Sequence, residues 1–329
     1  MRASLLCFWL TLYAASSSAG ELSSEESVLM IAGDVYEKHD VSAVARVGDW
    51  IVVASDEGGR VQILRLVANQ LRVVRDVRLA EDEPEADFEA IAADGDMVYV
   101  LGSHSRVRKK VKGDRSAREN RERLLDIDRQ PTREVLFRFQ LAPDGQVSRV
   151  ERTSLMPILE KYPLLERFTS IPGKENGVDL EGLATRDGWL YAGFRGPVLR
   201  GNLVPVLKFR FASPVRESQL LLVDLAGSGI RAMAEVEGGF LILAGPVGDG
   251  LGEYTIHFWD GRDALDAAPD ADGRRSMFKP LARISAPLDA KPEGLTVLRE
   301  HADRYELLDV FDGVANGHPT RFSIGKKSP

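Results

Sequence analysis

The chain reads as an all-β protein, a β-propeller built of four-stranded blades. Three features lead there. One hairpin pattern recurs five times, a second pair of alternating strands follows most copies, and the copies stand roughly fifty residues apart once two insertions are set aside. Each copy opens on an acidic or small polar pair. It runs through two or three apolar residues to a Gly or Asp-Gly turn and returns as an apolar strand ending in Gly, Ser or Asp.

In chain order, the first nineteen residues stand apart. Arg2, an apolar run over 5–15 and the small residues Ser17, Ser18 and Ala19 have the anatomy of a secretory signal, whose removal is expected. Eleven apolar residues are too few to span a bilayer, which needs about twenty. Residues 27–31 (SVLMI) are expected to close the ring as an outer strand of the last blade. The hairpins follow at 40–59, 87–105, 179–197, 230–250 and 292–313, with Gly-Asp, Asp-Gly and Gly-Gly turns that join antiparallel neighbours. The second pairs are VQILRL with LRVVRDVRL, EVLFRFQL with GQVSRVERTSL, and VLKFRF with SQLLLVDL. Within them Phe137, Phe139, Phe209 and Phe211 alternate with Arg138, Lys208 and Arg210, the period of two that puts rings on one face. Aligned on Ser42, Glu89, Glu181, Ala232 and Glu293, the copies are 47, 92, 51 and 61 residues apart. The long gap holds insertions at 106–133 and 156–176, the second with an expected helix over 158–168. Five blades are counted in one domain over 20–329; a sixth, degenerate blade inside the gap is the alternative count. A β-sandwich would not explain the shared hairpin.

The 329 residues carry a formal charge of only −7, of the wrong sign for a protein built around a nucleic-acid backbone. The single cysteine, Cys7, lies in the signal, so the mature chain would enter an oxidising compartment without thiols and depend on a large core. A periplasmic or secreted monomer with no membrane span is expected.

In a propeller the start of each inner strand and the end of its hairpin meet around one mouth of the central channel. Strand starts bring Asp87, Glu89, Asp179, Glu181, Arg231 and Glu293 there; hairpin ends bring Asp56, Glu57, Ser103, His104, Arg195, Asp249, Asp309 and Asp312. Glu89, Glu181 and Glu293 share one register, and three carboxylates in one funnel repel unless neutralised. A divalent cation such as Ca²⁺, which takes about six to eight hard oxygen ligands, is one solution; zinc would want the His or Cys this register lacks. A ring of ion pairs with Arg195 and Arg231 is another, and carboxylates capping backbone amides a third. His104, in SHSR, is the candidate general base; His39, His257, His301 and His318 share no register. Residues 106–123 hold nine Lys or Arg against three acids, either a solvated basic flap or a lid that draws an anionic substrate. They lack the aromatics of a nucleic-acid groove. The Gly-rich GPVGDGLG has no GK[ST] or helix start after it, and GxSxG is absent, so neither a phosphate loop nor an α/β serine hydrolase is indicated.

At DFEAIA with GSHSR, GVDLEGLA with YAGFRGP, IRAMAEVEGGFLILAGP and KPEGLTVL, the sequence resembles a family of secreted bacterial proteins known as domain of unknown function 3616, over nearly all of the chain after the signal. More distantly, its acidic hairpins are similar to those of phytase-like esterase and of gluconolactonase and paraoxonase propellers, which hold a divalent ion and hydrolyse esters or lactones. That kinship implies metal contact for Glu89, Glu181 and Glu293, with Asp87 and Asp179 beside them. Two positions depart from it, Ser42 and Ala232 standing where the lactonases place ligands. The expectation is a divalent-metal hydrolase of a small ester, lactone or phosphoester, with His104 as base and Arg195 and Arg231 binding the developing anion. The alternative is a non-catalytic propeller that binds a ligand or protein with the same face.

Overall fold

The computed structural model describes residues 26–80, 85–248, 250, 252–266, 278–287 and 290–326. The expected signal at 1–19, with Cys7, and Asp249 lie outside the described residues.

Five antiparallel blades follow one another along the chain. Their innermost strands are Val41–Val47, Phe88–Asp94, Asp179–Arg186, Gly229–Val236 and Lys291–Glu300. Each packs against the next, and the last against the first, so the ring is closed at five blades with no sixth in the long gap. Alternating apolar residues make both faces of every blade oily, and these faces bury one another. Val52, Ile63, Phe88 and Phe137 fill the seam between blades 1 and 2. Leu243, Ile256, Leu295 and Leu307 fill that between blades 4 and 5. The hairpin turns form as their residues dictate: Asp187 and Gly188 both take positive φ, 53° and 71°, in the two-residue turn closed by the pairing of Arg186 with Trp189.

Ring closure differs from expectation in one respect. Ser27–Val28 pairs antiparallel with the third strand of blade 5, supplying its missing outer strand. Met30–Ala32, however, continues onto blade 1, pairing parallel with Gln70, Leu71 and Arg72. Leu29, 2% exposed, plugs the seam between the two blades. The segment thus staples both ends of the ring.

Both insertions leave blade 2. The first forms a small hairpin, Arg106–Arg108 with Ile127–Arg129, carrying the helix Ala117–Leu125, whose Ser116 and Glu119 make a capping box. The helix expected over 158–168 is two short ones, Met156–Lys161 and Pro163–Glu166. Pro163 forces Tyr162 into an extended conformation between them. No described helix is long and apolar enough to cross a membrane.

Candidate functional site

All five innermost strands carry a β-bulge near their start, between Val41 and Ala43, Phe88 and Ala90, Leu180 and Gly182, Ile230 and Ala232, and Pro292 and Gly294. A bulge adds an unpaired residue and re-aims its side chain. The residues so placed are Ser42, Glu89, Glu181, Arg231 and Glu293. Blade 4 therefore contributes Arg231 to this ring, not the Ala232 that spacing aligned with the glutamates.

One cation among three acids divides the ring. Arg231 lies between Glu181, at 2.7 Å, and Glu293, with which it also forms an ion pair. From the end of the blade 3 hairpin Arg195 reaches Glu181 at 2.7 Å and Asp179 at 3.7 Å, its Nε donating to the Val247 carbonyl. Burial opposes the charge of both arginines, yet Glu181 and its neighbours hold them firmly cationic. This half of the funnel is the ring of ion pairs. Glu181 and Glu293 are committed to arginine, and Arg231, 2% exposed, sits below the cavity wall with no surface to offer a developing anion.

The other half has such compensation only at Asp87. Asp56, Asp87 and Glu89 each offer a carboxylate oxygen within 4.8 Å of the others. Asp87 accepts from Ser103 Oγ and from Arg133 at 2.9 Å, and Arg133 also pairs with Glu85. Among the described residues no cation meets Glu89 or Asp56, and Asp56 Oδ1 is buried without a hydrogen-bond partner. Burial, then repulsion from Asp312, Asp40 and Glu57, pushes Asp56 up to about 7. Burial raises Asp87 well above the carboxylate range despite the Ser103 hydroxyl, and burial with Glu181 and Asp87 nearby raises Glu89 likewise. Asp87 holds a left-handed φ of 49°, strain concentrated where the carboxylates meet.

These groups line a cavity of about 420 Å³. Its acidic floor faces Arg106, Arg108, Lys109 and Lys110 of the basic insertion, and Arg133, Lys174, Arg195 and Lys291. Gly173 leaves room for Asp179, whose Oδ2 would lie 2.7 Å from any Cβ there. Asp179 is pushed up to about 6 by burial and Glu181, with Arg195 and Arg231 opposing.

His104 is not brought to this cavity. Its Nδ1 donates to the Gly102 carbonyl at 2.8 Å and its Nε2 accepts from the Leu155 amide at 3.0 Å. Both ring nitrogens are thus spent on backbone, and burial lowers it to about 4. A neutral, occupied imidazole ties blade 2 to the second insertion and cannot serve as the base. Asp309 is likewise fully buried in its blade, away from the cavity. Arg133, Lys174 and Lys291 were not singled out by the sequence. Only the fold shows that an insertion's last residues return to the funnel, though Lys291 stands two residues before Glu293 as Asp179 does before Glu181.

The structure is similar to glutaminyl cyclase from Myxococcus xanthus, at 12% identity over 91% of this chain and 93% of that one, with a TM-score of 0.47. It is similar also to the computationally designed Ika4 protein, at 12% identity over 70% of this chain and 96% of that one, with a TM-score of 0.29. No curated protein matches the sequence. The family model described as "Protein of unknown function (DUF3616)" matches residues 40–154 and 148–321, and with that coverage of all five blades the chain belongs to this family.

Proposed function

We propose that the funnel binds one divalent cation, Ca²⁺ foremost, through Asp56, Asp87 and Glu89, and that the protein hydrolyses a small anionic ester, lactone or phosphoester there. The under-compensated cluster carries this reading: three hard oxygen donors from two neighbouring blades, of which only Asp87 has an ion pair and Asp56 keeps a buried oxygen unpartnered, suit a cation of the Ca²⁺ type better than any softer metal. Bound there, the ion would supply Lewis acidity toward a carbonyl or phosphoryl oxygen.

The protein's own groups divide the remaining work. Ser103 and Arg133 fix the Asp87 carboxylate by hydrogen bonds. Lys110, Lys174 and Lys291 line the cavity where the substrate's anionic group would enter. A proton released in hydrolysis needs a cavity-lining acceptor, and Asp179, at about 6, takes the place of His104. The chain Arg195–Glu181–Arg231–Glu293 keeps the wall rigid and charge-balanced.

The test is turnover of lactones, aryl esters and phosphoesters with Ca²⁺ or Mn²⁺ against EDTA. Metal-dependent turnover that is lost in Glu89→Gln and falls in Asp179→Asn is expected. Cation binding without turnover of any of these would instead favour the non-catalytic, ligand-binding propeller.

A further inference from the structure

The helix of the first insertion has no buried residue among its nine. The cations of the insertion fall into two groups. Those at its base are engaged: Arg106 with the Thr169 carbonyl, Arg108 with both oxygens of Glu175, and Lys109 with Asp126. Those toward its tip, Lys110, Lys112, Arg118 and Arg121, are exposed and meet no acid among the described residues. Arg118, Arg121 and Leu125 lie at i, i+3 and i+7, on one face of the helix, and Leu125 is 82% exposed. Val111, beside Lys110 and Lys112, is 58% exposed. The base pairings hold this tip in place: Arg108 clasps Glu175 of the second insertion, and Asn120 bonds the Lys112 backbone.

We propose that this tip docks the protein on an anionic phospholipid surface. Unpaired cations interleaved with exposed Leu and Val are the chemistry that such a surface selects, phosphates for the charges and the headgroup boundary for the apolar side chains. A purely hydrophilic polyanion would use the cations and leave Leu125 and Val111 without a role. The rest of the protein favours orientation too. With nine basic residues and three acids the stretch 106–123 carries +6 on a chain of net −7, so an anionic surface repels the body and attracts the tip. Because the same insertion lines the funnel, docking sets the cavity mouth beside the membrane.

Each cation near such a surface contributes about fivefold in partitioning at moderate salt. The full chain is floated with vesicles of phosphatidylglycerol and phosphatidylcholine, and with phosphatidylcholine alone. Binding only to the anionic vesicles is expected, with at least a tenfold loss in R118S/R121S and a several-fold loss in Leu125→Ser. Retention on a heparin column should fall in the first variant and hold in the second. Unchanged melting temperatures would show both variants folded, as expected for side chains without partners. No binding to anionic vesicles, or binding indifferent to both variants, overturns the proposal. If Leu125→Ser leaves vesicle binding unchanged while R118S/R121S abolishes both readouts, the tip is a general polyanion site and the lipid assignment fails.

Discussion

Five bulge residues facing one axis would carry three negative charges and one positive, and this imbalance governs the chemistry of single side chains here. Glu181 serves two buried arginines. Glu181→Gln removes the carboxylate they share, leaving Arg231 to Glu293 and Arg195 to the more distant Asp179, and removing one member of a buried ion-pair chain should cost about 3–5 kcal/mol, read from urea unfolding. Glu89→Gln should behave oppositely. It removes a carboxylate that burial and repulsion from Glu181, Asp87, Glu293 and Asp56 disfavour more than Arg195 favours it, so without divalent metal the variant should melt at or above the wild-type temperature. A strongly destabilised Glu89→Gln would mean that the carboxylate is structurally paired. His104→Ala leaves the Leu155 amide and Gly102 carbonyl unsatisfied and should cost about 1–3 kcal/mol in stability, while kcat per folded molecule is retained. A loss of kcat without a loss of stability would restore the imidazole to the reaction.

Among the elements, the segment 27–32 does more than complete a blade. It pairs with blade 5 and blade 1, and Leu29 seals the seam between them. A chain beginning at residue 33 should melt several degrees lower and lose cooperativity, as followed by circular dichroism; an unchanged transition would show that the ring closes without it. The strand pattern and glycine turns were legible in the sequence, because a period of two and Asp187-Gly188 leave little choice of local structure. The bulges were not. All five inner strands carry one, so the bulge leaves the copies in step; with Gly238-Gly239 as the turn Ala232 aligns with Glu181, whereas Val236 pairs with Gly239 around Glu237 and Gly238, which puts Arg231 there. That single shift turns an expected cluster of three glutamates into one side on which Glu181 and Glu293 are salt-bridged and one on which Glu89 is not. Likewise Pro163 was visible, but its power to split the expected helix shows only against the packing of the short helices.

For the whole molecule, the funnel makes stability depend on pH with a defined sign. Asp56, Asp179 and Glu293 rise from ordinary carboxylate values to about 7, 6 and 8 in the folded state. The fold then holds protons that the unfolded chain releases. Their contribution is fully present below about pH 4 and is lost as pH rises toward 8. His104 acts in the opposite sense, its contribution present above 6.5 and lost as pH falls toward 4. In EDTA the melting temperature should therefore pass through a mildly acidic maximum and decline toward pH 8, with divalent cation flattening the decline. A maximum at pH 8 without metal would contradict the charge imbalance on which the site rests. Isothermal titration of Ca²⁺ and Mn²⁺ into the wild-type chain, Asp56→Asn and Glu89→Gln at pH 7.5 tests that site most directly. One ion bound per chain, with affinity lost in both variants, is the predicted result; no binding, or binding that both variants retain, would contradict it.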